Sequence, residues 1–277
     1  MNGTVNRPMN RLMNRPMKMT AQGGAVWAIA RCTVLEAWRG RYGWIVVLGA
    51  LGAVAVAEFL GQAAVTESLE IRQAVLAALL RLIAVLATGL FMTTALAREC
   101  HDKGLELVFS LPLPRGGYYL GKLAGHALLC LMTASLAAVL LAWYAPPAQV
   151  LAWSLSLWCE LLIVAALCLF LTLSFVQAAP AFAAAMAFYV LGRSITAMEL
   201  MAGGPLVDPH AWSQQIVSGL VHFLGLLLPD LDRFARSDWL VYGVDGWADL
   251  PLLAVQTLLY VCLLSAMALF DLYRKNI

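Results

Sequence analysis

Six apolar runs, each long enough to cross a lipid bilayer, constrain this chain more than any other feature of its sequence. They cover roughly residues 44–63, 74–96, 120–143, 151–175, 180–202 and 250–270. A transmembrane helix needs about 20 predominantly apolar residues to cross about 30 Å of hydrocarbon. The runs lack the two-residue alternation of barrel strands, so we predict an all-α membrane protein with six transmembrane helices.

The composition excludes a soluble globular domain. Of the 277 residues, 62% are hydrophobic and 12% are charged, whereas soluble domains average about 45–50% apolar and about 25% charged residues. The six cysteines lack CxxC spacing, and four of them lie inside apolar runs. We therefore interpret them as small buried residues rather than as a disulfide framework.

The distribution of basic residues predicts the orientation. Thirteen of the 18 Lys and Arg residues lie before the first run, from the end of the second run to the start of the third, or in the C-terminal tail. The opposite loops carry mostly acidic residues: Glu67, Glu70, Asp208, Asp230, Asp232, Asp238, Asp245 and Asp249. Because cytoplasmic loops carry an excess of Lys and Arg, we predict a multi-pass protein of the inner (cytoplasmic) membrane with both termini in the cytoplasm.

The N-terminal region divides into a tail and a helix. Residues 1–22 are basic and contain two prolines, which predicts a disordered tail ahead of a transmembrane domain over 23–277. Residues 25–42 repeat apolar side chains at helical spacing, which predicts an amphipathic helix in the inner membrane interface. The charged residues on its other side are Arg31, Glu36, Arg39 and Arg41.

Between the fifth and sixth runs, residues 216–228 form a thirteen-residue apolar stretch that ends at Pro229. This stretch is too short to span the hydrocarbon layer, so we predict a re-entrant or outer helix. Aromatic residues near the outer ends of the runs predict a belt at the membrane boundary. They are Trp143, Tyr144, Trp153, Trp212, Trp239, Tyr242 and Trp247.

The connection between the second and third runs is longer than a helical hairpin requires. Helices in bundles are usually joined by about 2–8 residues, and this connection has more than twenty. Glu99 and Lys103 have the i,i+4 spacing of a helical ion pair. An apolar patch follows over 105–111, and Pro112 ends any helix. Such a helix is suited to bind in a groove of another protein, and a surface connector without a partner is the alternative.

A spaced set of residues runs through this connection and beyond it: Arg98-Glu99, Gly104, Leu105-Glu106, Leu107, Ser110, Pro112, Pro114-Arg115 and Gly121-Lys122. This pattern resembles the segment that follows the second span in the permease subunits of ABC-2 type transporters. The resemblance extends to the amphipathic N-terminal helix, the six spans and the 228–234 stretch before the last span.

This resemblance implies a non-catalytic permease subunit of an exporter, which lies in membrane lipid as a homodimer or as a pair of similar permeases. Two cytosolic ATPase subunits would bind ATP and Mg²⁺, so no cofactor is expected in this chain. The segment after the second span would be the coupling helix seated in the ATPase. The implied coupling residues are Arg98, Glu99, Asp102, Lys103, Gly104, Leu105, Glu106, Leu107, Phe109 and Pro112.

Apart from Lys122 at the start of the third run, five charged residues lie inside the predicted spans. They are Glu58, Arg81, Glu160, Arg193 and Glu199. At a rise of about 1.5 Å per residue, all five fall in the outer half of the bilayer. Ionisable groups in hydrocarbon usually face a partner or a cavity. Two interpretations follow: ion pairs that fix helix packing, for instance between Arg81 and Glu160, or a polar gate that opens when ATP drives the dimer.

No catalytic constellation or metal-ligand spacing is present in the sequence. Two other functions compete with the permease. One is a membrane component that uses a partner ATPase to transmit force to an extracytoplasmic partner, such as a metal-cofactor or haem maturation system, without carrying cargo. The other is a stand-alone membrane enzyme or secondary carrier, for which inverted internal repeats would be the signature.

Overall fold

The computed structural model describes residues 19–63, 68–101, 115–202, 219–225, 228–243 and 249–274, with side chains from residue 23 onward. Within these ranges, the chain is helical or forms connections, and it contains no strand. Six of the described helices are long and apolar enough to cross a membrane. The structure therefore confirms the predicted all-helical membrane fold.

The long helices of the described residues are α1 (Met19–Arg39), α2 (Tyr42–Ala63), α3 (Ser68–His101), α4 (Arg115–Leu141), α5 (Pro147–Phe175), α6 (Ala178–Ala202) and α7 (Asp249–Arg274). Helices α2 to α7 are the six that match the apolar runs, and each begins before its run. Helix α1 begins inside the stretch predicted as a tail, so residues 19–22 are helical.

Short elements lie between α6 and α7. Residues 219–225 are helical, a 3-10 turn covers Leu231–Arg233, and one helical turn covers Asp238–Val241. The helical residues 219–225 fall inside the stretch that was predicted as a re-entrant or outer helix.

Helix α5 is the centre of the bundle. It packs against α3, α4, α6 and α7. In its most apolar stretch 67% of the residues are buried, against 22% in α2 and α7. Its sequence is apolar around its whole circumference, which is typical of a helix surrounded by other helices.

Helix α1 packs closely along the first half of α4. A Cβ atom on Gly121 would lie 2.8 Å from the Cβ of Ile29, and one on Gly125 would lie 2.7 Å from the Cβ of Thr33. Ala30 and Thr33 are buried in this contact. Two glycines four residues apart on one helix allow two backbones to approach closely. This contact fixes α1 to the membrane-spanning helices.

The two described ends of the chain meet at one end of the bundle. Arg115, the first residue of α4, donates from Nη1 to the carbonyl oxygen of Leu272 near the end of α7, at 3.0 Å. Helix α1 contacts α4 within two to three turns of the same residue. We call this the α1 end of the bundle, where α3 ends and α4 begins, and we call the other the opposite end.

Candidate functional site

At the α1 end, Glu99 of α3 binds two side chains of α4. Tyr118 donates from Oη to Glu99 Oε2 at 2.6 Å, and Lys122 Nζ forms an ion pair with Glu99 Oε1. Tyr118 and Lys122 are buried, whereas the side chain of Glu99 is 28% exposed. The Lys122 side chain is only 8% exposed, so this carboxylate is the counter-ion that compensates for its removal from water. We call Glu99, Tyr118 and Lys122 the Glu99 cluster.

Neighbouring contacts extend the Glu99 cluster to α1 and deeper into α4. Arg98 forms an ion pair with Glu36 of α1, with 3.4 Å between Arg98 Nη2 and Glu36 Oε1. One turn beyond Lys122, the buried His126 ring bonds through Nδ1 to the carbonyl oxygen of Lys122 at 2.7 Å. Arg98 and Glu99 therefore connect the end of α3 to both α1 and α4.

The two ends of the sequence pattern meet in space. Arg98-Glu99 precedes residues 102–114, and Gly121-Lys122 follows them. The ion pair of the Glu99 cluster therefore joins the helix before this stretch to the helix after it. Residues 102–114 lie outside the described residues. They hold the other predicted coupling residues: Asp102, Lys103, Gly104, Leu105, Glu106, Leu107, Phe109 and Pro112.

Toward the opposite end, the carboxyl group of Glu160 on α5 is fully buried. Its Oε1 accepts a hydrogen bond from Tyr189 Oη at 2.8 Å and lies 3.6 Å from Arg193 Nη1, both on α6. Its Oε2 has no hydrogen-bond partner among the described residues. Arg81 on α3 interacts electrostatically with Glu160 and Arg193. We call Arg81, Glu160, Tyr189 and Arg193 the Glu160 cluster.

The two arginines of the Glu160 cluster bind main-chain carbonyl groups between α6 and α7. Arg81 donates from Nη1 to the oxygen of Ala235 at 2.9 Å. Arg193 donates from Nη1 to the oxygens of Leu231 and Phe234 at 2.8 and 3.3 Å. Glu160 therefore forms its direct ion pair with Arg193. Arg81, which the sequence analysis gave as an example of a partner for Glu160, donates to the backbone instead.

Helix α5 binds the same backbone from its own side. Trp153 donates from Nε1 to the oxygen of Ala235 at 3.1 Å, and Ser156 Oγ accepts the Ala235 N–H at 3.0 Å. Ala235 has φ of 47°, in the left-handed region that non-glycine residues rarely adopt. The hydrogen bonds at both of its main-chain groups stabilise this conformation. Residues 231–235, which we call the seated segment, are therefore held by α3, α5 and α6.

The other two predicted intramembrane charges have separate partners. Glu58 forms an ion pair with Arg72 at 3.4 Å and accepts a hydrogen bond from Tyr144 Oη at 2.6 Å. This bond to a carboxylate raises the pKa of Tyr144, which lies between α4 and α5. Glu199 lies against Gly225, in the helical residues 219–225. The five charges therefore do not form one group.

Sequence reasoning missed three members of this site: Trp153, Ser156 and Tyr189. Trp153 was predicted to lie in the outer aromatic belt, and that prediction was wrong, because its side chain is fully buried. The spacing of Tyr189 and Arg193, four residues apart on α6, is the one signal in the sequence that pointed to a shared face. The binding of Ala235 to Trp153 joins residues 82 positions apart, which no local pattern indicates.

Replacing Glu99 should destabilise the bundle. In the Glu99→Gln variant, the buried ammonium group of Lys122 loses its counter-ion, so we expect the free energy of unfolding to fall by about 2 kcal/mol. Thermal unfolding of the detergent-solubilised protein measures this change. Arg98→Gln is the matched control, because its side chain is 66% exposed and its ion pair should contribute less than about 1 kcal/mol. Equal losses of unfolding free energy in the two variants would contradict the assignment of Glu99 as the counter-ion of a buried Lys122.

Replacing Arg193 should cost more, because its partner is fully buried. We expect Arg193→Gln to lower the free energy of unfolding by about 3 kcal/mol, since Glu160 would keep a buried charge without a direct ion pair. Adding Glu160→Gln should recover part of this loss. Arg233→Gln, at a 54% exposed arginine of the seated segment, is the control and should change stability by less than about 1 kcal/mol. A double variant no more stable than Arg193→Gln alone would refute the ion pair.

Comparison with known proteins adds no identification. No family model matches the chain, and no curated protein is significantly similar to it. Among the described residues, no three His, Cys, Asp or Glu side chains are grouped so that they could hold a metal ion. The function therefore has to be argued from the two clusters and from the arrangement of the helices.

Proposed function

We propose that this chain is the membrane-spanning permease subunit of an ABC-2 type transporter, an exporter driven by two separate cytosolic ATPase subunits. It functions as a homodimer or beside a similar permease, and it is not itself catalytic, because ATP and Mg²⁺ bind to the ATPase. The observation that carries the proposal is the Glu99–Lys122 ion pair. This pair joins the two ends of the sequence pattern that resembles the coupling region of such permeases.

A coupling loop transmits force only if the bundle holds both of its ends. The Glu99 cluster joins α3, which ends before residues 102–114, to α4, which begins after them. The Arg98–Glu36 ion pair adds α1, and the hydrogen bond from Arg115 to Leu272 adds α7. Displacement of this loop by an ATPase would therefore act on four helices together, which is what a coupling helix requires.

In this proposal, the α1 end faces the cytoplasm of a cell with an inner membrane, and both termini are cytoplasmic. The excess of Lys and Arg at this end supports that orientation. Helix α1 lies in the membrane interface, which is supported by its side chains: Trp27 and Trp38 are 56% and 76% exposed, and Arg31 is exposed as well.

We assign the Glu160 cluster and the seated segment to the outer gate, with residues 216–228 as the re-entrant helix ahead of them. Three helices supply the hydrogen bonds to the seated segment. These bonds persist only while α3, α5 and α6 keep their present spacing. A movement of α3 that starts at the coupling loop would withdraw Arg81 from Ala235 and loosen the segment.

One observation favours the alternative function, in which the chain transmits force to an extracytoplasmic partner without carrying cargo. The seated segment is bound to α3, α5 and α6 at once, and Glu160 beneath it is fully buried. Because three helices bind it, the seated segment would pass their motion directly to a protein outside the membrane while the bundle stays closed.

The coupling role is tested with a photo-crosslinking amino acid in the full chain in its own membrane. Placed at Leu107, it should crosslink to a protein that carries a phosphate-binding loop and hydrolyses ATP. Placed at Trp143, which is 84% exposed at the opposite end, it should not. Deletion of residues 105–109 should abolish co-purification of that ATPase while the thermal stability of the spans is kept. ATP hydrolysis by the purified chain alone would refute the proposal.

The two functions differ in whether water reaches the Glu160 cluster. In a Ser156→Cys variant, a membrane-impermeant thiol reagent added outside should label the new cysteine only during ATP turnover if cargo passes through the bundle. Absence of labelling during turnover would favour force transmission. Cys168, fully buried in the same helix, serves as the internal cysteine that should stay unlabelled in both cases.

A further inference from the structure

We propose that the turn between α1 and α2 is a binding site for one anionic phospholipid, with an acyl chain in an apolar groove and the phosphate on two arginines. The site lies where α1 ends and is separate from the Glu99 cluster, because Leu129, which lines the groove, is 14 residues past Arg115, or about 21 Å along α4. It does not depend on the coupling role proposed for residues 102–114, or on which side of the membrane this end faces.

The groove lies between α1, α2 and α4 and has a volume of about 240 Å³. Val34, Val47, Met132 and Leu136 contribute apolar walls, and one side is open to the surroundings. An engineered apolar cavity of about 150 Å³ holds a benzene molecule, so this groove has room for a segment of hydrocarbon chain.

The two hydroxyl groups that line the groove are already bonded to each other. Tyr42 Oη lies 2.6 Å from Thr133 Oγ1, and it also lies 3.3 Å from Thr88 Oγ1, and all three residues are buried. The side chains that remain in the lining are apolar apart from the indole N–H of Trp38. An occupant is therefore mostly apolar where it contacts the groove.

Two arginines are adjacent in sequence to residues that line the groove: Arg39 follows Trp38, and Arg41 precedes Tyr42. The chain turns at Gly40, where a Cβ would lie 2.9 Å from the carbonyl oxygen of Glu36. Arg39 and Arg41 flank this glycine, both are exposed, and neither pairs with a carboxylate of the described residues. Guanidinium groups bind phosphate oxygens in pairs of hydrogen bonds. The first N–H groups of the 22-residue helix α2, directly after Arg41, add favourable charge for an anion.

The apolar groove and the two arginines together favour a whole phospholipid over a phosphate group or an acyl chain alone. Trp38 and Trp44, which are close in sequence to the arginines, are 76% and 70% exposed, and indole rings favour the boundary between a membrane and water. A free phosphate would use Arg39 and Arg41 but leave the groove empty. A neutral phospholipid would fill the groove but gain nothing from the arginines.

Native mass spectrometry of the full chain in neutral detergent tests the proposal, with dioleoyl phosphatidylglycerol and dioleoyl phosphatidylcholine as probes. A basic residue near an anionic lipid contributes about 1 kcal/mol, so the two arginines should make the first phosphatidylglycerol bind about 25-fold more tightly than phosphatidylcholine. The Arg39→Gln/Arg41→Gln variant should lose this preference. The control Arg31→Gln, at an exposed arginine of the same helix, should keep it.

The groove is tested by filling it. A Cβ at Gly43, which lines the groove, meets nothing within 4 Å, and the same holds for Gly52 further along α2. Gly43→Leu should weaken binding of both lipids, whereas Gly52→Leu should not. Val47→Phe fills the groove from another position and gives the same result if Gly43→Leu fails to fold.

Three results would overturn the proposal. They are equal affinity of the wild-type chain for the two lipids, equal binding by the groove-filling and control variants, and displacement of phosphatidylglycerol by millimolar inorganic phosphate. The last result would assign the arginines to a free phosphate.

Discussion

The hydrocarbon interior of a membrane offers no hydrogen-bond partner. This constraint explains both the helical backbone of this protein and the pairing of its buried charges. The backbone of the apolar runs is helical, because only helices satisfy their own N–H and C=O groups within one segment. Charged side chains that enter the bundle must find partners inside it. Glu160 binds Arg193 and Tyr189, and the arginines of its cluster also bind main-chain carbonyl groups of the seated segment.

The same requirement explains why the seated segment lies where it does. A stretch without long helices leaves main-chain groups unpaired, and its burial needs donors and acceptors from elsewhere. Arg81, Arg193, Trp153 and Ser156 supply them from three helices. Arg193 thereby binds both the carboxylate of Glu160 and the backbone, so one residue forms the ion pair and helps to anchor the seated segment.

Helix α3 links the two clusters. It carries Arg81 in the Glu160 cluster and Glu99 in the Glu99 cluster, 18 residues apart, which is about 27 Å along the helix axis. If α3 moves as a rigid body, displacement at one cluster would move the other. In the proposed function, motion starts at residues 102–114 and reaches the seated segment through α3.

The amino-acid sequence by itself determined the six helices and the positions of charge along them, because hydrophobic length and composition are local properties. It also indicated Arg98, Glu99 and Lys122 as members of one pattern, and the roles of residues 102–114 within that pattern stay predictions. Only the tertiary structure decided the partners: Glu99 with Lys122, Glu160 with Arg193 rather than Arg81, Gly121 and Gly125 with α1, and Trp153 with Ala235. Each of these contacts joins different segments of the chain, and the packing angle between helices, which no local spacing encodes, brings the atoms within bonding distance.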